Sequence, residues 1–189
     1  MEDIEASLIE MKNKSELMLD LAYSALLYHN KDIAKEVIEL EDRINKLYDS
    51  IQRRSLQKCE NEENIDRSII LIKMADAIER FADCALDIAD VVLREIELHP
   101  VVKKSLEESD VVMLKKMIGK SSYLDGKTIG ETKIAIEIGM WIVAVRRGDD
   151  WFYGPKKDFK LKEGDIIFAR GPEESEEKLD LWIRSELNN

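Results

Sequence analysis

The first hundred residues lack the residue types that interrupt helices. All eight glycines lie between Gly119 and Gly171, and the first of three prolines is Pro100. Glycine and proline are the main local breakers of regular structure, so their absence permits long, uninterrupted helices. Beyond residue 118 they recur at short intervals. The sequence therefore predicts an α+β protein of two domains, a helical one over residues 1–109 and a small α/β one over residues 110–189.

Cysteine and long apolar runs are also scarce. The two cysteines, Cys59 and Cys84, have neither the number nor the spacing of a disulfide framework or a zinc site, so we expect both to be reduced. No apolar stretch approaches the roughly 20 residues that a membrane-spanning helix needs. Met1 is followed by two acidic residues rather than a basic leader. We expect a cytoplasmic protein with no membrane span, which reaches the inner face of the membrane only through a partner.

Negative charge is concentrated in the helical half. The net charge of the chain is −11, and residues 1–109 carry 25 acidic and 15 basic side chains. Such a surface repels phosphate, which argues against nucleic acid as a partner.

Three helices account for the first domain. Apolar residues recur at steps of three and four from Ile4 to Tyr28, again after Asp32, which we expect to cap the second helix, and then over residues 65–98. Short connections between long helices predict an antiparallel three-helix bundle. The third helix has an apolar arc wider than two neighbours require. Either it lies centrally in the bundle, or, as we favour, its extra face is an interface, with Phe81 and Ile88 as interface residues.

In the second domain the spacing of apolar residues along the chain changes from that of helices to that of strands. Residues 111–118 have the composition of a strand, Thr128 and Glu131 form a capping-box pattern at the start of a short helix, and residues 140–146 form a buried strand. A hairpin turn at 148–150 leads into a strand at 151–153. A turn at Gly164-Asp165, a strand at 166–169 and a final helix after Pro172 complete a β-α-β-β-β-α order.

Two families are recognisable in these segments. The motifs GKTIGE at 126–131, GMWIVAVRR at 139–147 and LKEGDII at 161–167, followed by Gly171, resemble the TrkA-C domain, the C-terminal domain of RCK proteins. The segment KMADAIERFADCALDIA at 73–89 is similar to the helix that ends a three-helix repeat in PhoU proteins.

These resemblances imply a regulator of potassium or cation transport. TrkA-C domains dimerise, gate membrane channels or transporters, and in some members bind a small ligand such as cyclic di-AMP. We therefore expect a homodimer with a membrane potassium channel or cation transporter as partner, and we assign Trp141 to the dimer interface. No Gly-x-Gly-x-x-Gly motif follows a strand, so no NAD site is recognised. PhoU proteins contain two three-helix repeats, so two copies of this chain would rebuild one such unit.

Two candidate sites follow from the charge pattern. Asp76, Glu79 and Asp83 share a helix face, and the last two match the metal-binding motif of PhoU proteins, which predicts a site for a divalent or iron-type cation; a solvated acidic face is the plainer interpretation. The cationic stretch 146–162 predicts a site for an anion or small nucleotide, although it also suits an acidic partner or a protected strand edge. The residues assigned to that site are Arg146, Arg147, Lys156 and Lys157.

No catalytic constellation is recognisable. His29 and His99 stand without a carboxylate or cysteine at catalytic spacing, and we expect no enzymatic activity. The sequence thus favours a ligand-sensing subunit of potassium transport, with a metal-binding regulator of phosphate uptake or signalling as the alternative.

Overall fold

The computed structural model describes residues 2–57, 59, 62–101 and 111–184, with side chains described from residue 4 onward. The chain divides into two compact units, Met1–Pro100 and Val101–Asn189. The predicted boundary after residue 109 falls at the edge of a segment outside the described residues and stays a prediction.

The first unit is a bundle of three helices, as predicted. They are α1 (Glu2–Tyr28), α2 (Lys31–Gln57) and α3 (Glu62–Leu93), and each packs against both others. The predicted cap of α2 was wrong by two positions. The side chain of Asn30 accepts hydrogen bonds from the backbone N–H groups of Asp32 (3.0 Å) and Ile33 (3.1 Å), so Asn30 is the residue that satisfies the first donors of the helix. The third helix also begins and ends earlier than predicted.

The core of the bundle is asymmetric. Helices α1 and α2 bury large aliphatic side chains, such as Met11, Met18, Leu40 and Ile44. Helix α3 buries mostly small ones. Its buried residues are Ser68, Ala75, Ala82, Ala85, Ala89 and Val92. Small side chains let the axis of α3 approach its two neighbours closely, and the larger apolar side chains of this helix lie elsewhere on its surface.

The second unit has the predicted β-α-β-β-β-α order. Its elements are β1 (Val111–Met117), α4 (Ile129–Thr132), α5 (Ile134–Glu137), β2 (Trp141–Arg147), β3 (Asp150–Tyr153), β4 (Ile166–Pro172), a 3₁₀ turn (Glu173–Ser175) and α6 (Glu176–Arg184). The predicted single helix after Thr128 is two short helices, because Lys133 adopts a left-handed conformation (φ 52°) between them. The predicted capping box is present, since Thr128 and Glu131 exchange backbone and side-chain hydrogen bonds.

The four strands form one antiparallel sheet in the order β1-β4-β2-β3. One face of this sheet carries the core of the unit, which includes Val112, Val145, Ile167 and Ala169 together with Leu179 of α6. Lys116 on β1 also reaches α6, where its ammonium group lies 2.8 Å from Glu176 and 2.7 Å from Asp180. The helices therefore cover this face, which we call the helix-covered face.

Candidate functional site

The opposite face of the sheet combines aromatic and cationic side chains. Successive residues of a strand point to opposite faces, and residues paired across strands share a face. Since Phe152 belongs to the helix-covered core, its neighbours Trp151 and Tyr153 lie on the other face, as do Arg146, which pairs with Trp151, and Trp141, which pairs with Arg170. We call this surface the aromatic face; its members are Trp141, Arg146, Trp151, Tyr153, Phe168 and Arg170.

Stacking orders the centre of the aromatic face. The ring of Trp151 lies parallel to that of Tyr153 at 5.7 Å and stacks on Phe168 at 5.1 Å. The guanidinium of Arg146 lies 5.6 Å from the centre of the Trp151 ring, within the range of a cation–π contact. Trp141, at one end of β2, is 59% exposed. Aromatic planes beside guanidinium groups are suited to a ligand that has both a flat ring and a negative charge.

The structure separates the two arginines that the sequence placed in one anion site. Arg147 follows Arg146 in the same strand, so it lies on the helix-covered face. There it donates to both carboxylate oxygens of Asp165, at 2.7 and 2.8 Å, and to the backbone oxygen of Lys160 at 2.9 Å. Its guanidinium also lies within 5.6 Å of the Phe152 and Phe159 rings.

Asp165 is the residue that sequence reasoning missed. Its side chain is fully buried, and it accepts a third hydrogen bond from the backbone N–H of Lys162 (2.9 Å), while its backbone oxygen accepts from Ile118. The hydrogen bonds that the Arg147 guanidinium donates to this carboxylate raise the pKa of Arg147. The signal available in the sequence was its position directly before a buried strand. Arg147 therefore links the turn before β4 to strand β2. Its role in ligand binding stays a prediction.

The two predicted lysines lie in the loop after β3, and both are exposed. The backbone oxygen of Lys157 accepts a hydrogen bond from Gly130 at 2.7 Å, which ties this loop to the start of α4. A Cβ at Gly130 would lie 3.0 Å from that same oxygen, so glycine, which has no side chain, lets the two backbone segments come this close. The role of Lys156 and Lys157 in anion binding stays a prediction.

The acidic face of α3 is partly neutralised. Asp76 forms an ion pair with Arg80 (2.9 Å) and accepts a long hydrogen bond from the Tyr48 hydroxyl (3.4 Å). Burial, together with the charges of Asp83, Asp76 and Glu41, raises the pKa of Glu79. Within residues 2–57, 59, 62–101 and 111–184, no group of three or more histidine, cysteine or acidic side chains is arranged to hold a metal ion. The assignment of Asp76, Glu79 and Asp83 as metal ligands stays a prediction.

The predicted interface residues are accessible to different degrees. Phe81 is 62% exposed, Ile88 is half-buried, and both lie on α3, whereas Trp141 belongs to the aromatic face of the other unit. No helix in the described part of the chain is long and apolar enough to span a membrane.

Comparisons with known proteins match both halves of the chain. Residues 8–92 match the family model of the PhoU domain, and residues 117–184 match that of the TrkA-C domain. Two potassium channel proteins of Methanocaldococcus jannaschii are similar in sequence. "Probable potassium channel protein 2" is 31% identical over 83 residues, which are 44% of this chain and 24% of that protein. "Potassium channel protein 1" is 26% identical over 106 residues, 54% of this chain and 32% of that protein. The chain thus spans a quarter to a third of these relatives.

Solved structures show a weaker likeness. The RCK_C domain dimer of S. agalactiae BusR in complex with c-di-AMP is 22% identical, with a TM-score of 0.38 over 42% of this chain and 98% of that one. The GsuK RCK domain is 20% identical, with a TM-score of 0.36 over 67% of this chain and 26% of that one. Similarity at this level carries no conclusion about ligands or assembly. The two family matches, in contrast, coincide with the bundle and with the sheet described above, so the chain carries a PhoU domain followed by a TrkA-C domain.

Proposed function

We propose that this chain is a regulatory subunit of potassium or cation transport that senses a small anionic ligand through its TrkA-C domain. The observation that carries the proposal is the match of residues 117–184 to that domain, together with the potassium channel proteins among the relatives. A partner channel or transporter would supply the membrane path, and the chain itself would act from the cytoplasmic side, without catalysing a reaction.

The aromatic face is the ligand site that we favour. It places exposed Trp141 on the same surface as the stacked pair Trp151 and Tyr153, with Arg146 beside them. A nucleotide-like ligand has a base that can stack on these rings and phosphates that Arg146 can neutralise. Ligand binding can regulate a partner only if the ligand has different affinities for two states of the assembly, so the site must change its contacts or its exposure between those states.

Binding to this site can be measured directly. Isothermal calorimetry and tryptophan fluorescence of the full chain would be recorded with cyclic di-AMP, ATP and ADP. We expect one of these anions to bind, and we expect Arg146→Gln and Trp141→Ala each to weaken that binding by about tenfold, equivalent to about 1.4 kcal/mol. Lys178→Ala, which alters an exposed lysine of α6, serves as the matched control.

Two results would contradict this proposal. Absence of binding to every member of the panel would remove the sensing role for nucleotide-like anions. Binding that is unchanged in both variants would move the site away from the aromatic face. In the latter case, Lys156→Ala with Lys157→Ala tests the loop after β3 as the alternative location.

A metal-binding regulator of phosphate signalling is the second candidate. It is favoured by the PhoU match over residues 8–92 and by the crowding of carboxylates that raises the pKa of Glu79. Metal content of the purified chain should then fall in Glu79→Ala and Asp83→Ala but not in Asp66→Ala, an exposed acidic control on the same helix. Equal metal content in all four proteins would reject this function.

A further inference from the structure

Helix α3 buries mainly small residues in the bundle and exposes several of its large apolar residues. Four of its buried residues, Ser68, Ala75, Ala82 and Ala89, recur every seven positions. In contrast, Ile70 is 57% exposed, Met74 48% and Phe81 62%. Burial of a large apolar side chain contributes about 1.5–3 kcal/mol, so a helix that serves only its own bundle gains more by turning these residues inward. The orientation indicates that a second surface covers the outer side.

Seven residues of α3, five of them exposed and two half-buried, follow a heptad pattern. They alternate by four and three residues, which is the spacing of a coiled-coil seam. At 1.5 Å per residue the seam is on the order of 30 Å long. We call it the α3 seam; its members are Ile70, Met74, Ala77, Phe81, Cys84, Ile88 and Val91. The absence of charge among these seven positions means that a partner can cover the seam without burying an unpaired charge.

We propose that the α3 seam packs against the α3 seam of a second copy of this chain in antiparallel orientation. Antiparallel packing about a point near residue 79 sets the largest residue of the seam, Phe81, against the smallest, Ala77 of the second copy. It likewise sets Ile88 against Ile70. A parallel pair would instead bring Phe81 against Phe81. Cores favour large residues opposite small ones, because such pairs fill space without voids or overpacking.

The charges beside the seam support the same register. Lys73 and Asp87 lie on the flank of the seam. In this register Lys73 of each copy approaches Asp87 of the other copy. Arg80 lies near the two-fold axis, where its charge is offset by the ion pair with Asp76. A shift by one heptad would place Lys73 beside Arg94 of the second copy, two positive charges. The seam is therefore complementary to itself, which is what a two-fold symmetric interface requires.

Disulfide cross-linking of the full chain tests this arrangement. In a Cys59→Ser, Cys84→Ser background, the double variant Ile70→Cys, Ile88→Cys should form a reducible covalent dimer under mild oxidation, and neither single variant should. A bond within one chain is excluded, since 18 helical residues separate the two positions by about 27 Å. Leu56→Cys, at an exposed position of α2, reports random collisional cross-linking.

A charge in the seam provides the matched perturbation. Added to the double cysteine variant, Phe81→Glu should reduce the dimer yield at least tenfold, whereas Leu56→Glu should leave it unchanged, because Leu56 is 64% exposed and lies outside the seam. Circular dichroism verifies that each variant folds.

Efficient cross-linking of either single variant would overturn the antiparallel orientation. A yield from the double variant no higher than that of Leu56→Cys would overturn pairing through the seam altogether. Both results are independent of ligand binding, so this inference and the proposed function can fail separately.

Discussion

The contact between Arg147 and Asp165 allows a quantitative test of the fold of the TrkA-C domain. The carboxylate of Asp165 is fully buried and receives two of its three hydrogen bonds from the Arg147 guanidinium. Arg147→Ala leaves this charge in the interior with only the backbone N–H of Lys162 as donor. Removing one partner of a buried pair costs about 3–5 kcal/mol. The arginine side chain is 31% exposed, and water that enters its place solvates the carboxylate, so we expect about 3 kcal/mol.

A double-mutant cycle isolates the pair from other effects. The single variants are Arg147→Ala and Asp165→Asn, and the double variant combines them. Because the carboxylate is the group left uncompensated in Arg147→Ala, removing its charge as well should restore part of the loss. We expect a coupling free energy of about 2 kcal/mol. Mutations at independent sites add to within about 0.3–0.5 kcal/mol, so a coupling of this size is measurable.

Urea unfolding followed by tryptophan fluorescence is the suitable assay. All three tryptophans, Trp141, Trp151 and Trp182, belong to the second unit, so the signal reports the unfolding of that unit. The control is Arg184→Ala, which removes an exposed arginine 3.7 Å from Asp180 and should cost less than about 1 kcal/mol. Additive effects of Arg147→Ala and Asp165→Asn, or equal losses for Arg147→Ala and Arg184→Ala, would refute the structural role of this pair.

Three further predictions address single positions. Gly171→Ala should destabilise the second unit by about 2–3 kcal/mol, because the added Cβ would lie 2.5 Å from the backbone oxygen of Gly139. Gly119→Ala is the control and should be tolerated, because its Cβ would have no neighbour nearer than 3.8 Å. Urea unfolding compares the two variants. Thr128→Ala removes the N-cap of α4 and should cost about 1 kcal/mol in the same assay. The raised pKa of Glu79 means that the folded state binds the proton of this carboxyl group more tightly than the unfolded state does. Glu79 therefore lowers the stability of the fold as the pH rises above 4.5, the ordinary pKa of a glutamate side chain. Glu79→Gln should therefore raise the thermal midpoint at pH 7 relative to wild type and have a smaller effect at pH 4; an equal shift at both pH values would contradict this.

The general architecture was predictable because it depends on local chemistry. The absence of glycine and proline before Pro100 permits long helices whatever they pack against, and the capping box at Thr128 is a contact between residues three positions apart. The surplus of apolar residues on α3 was also visible in the sequence. Helix ends were less predictable: the difference between Asn30 and Asp32 as the cap of α2 depends on a single backbone turn.

The sequence by itself determined the two domains, their order of elements and the acidic character of the bundle, since composition and hydrophobic period are properties of neighbouring residues. Only the tertiary structure decided which side chains share a surface. Strand alternation separates the neighbours Arg146 and Arg147, but the packing of the unit decided which face each one joins and brought Arg147 against Asp165, 18 residues away. On α3, packing against two neighbours turned the alanines inward and Phe81 outward. Such choices depend on contacts between distant segments, and no local pattern encodes them.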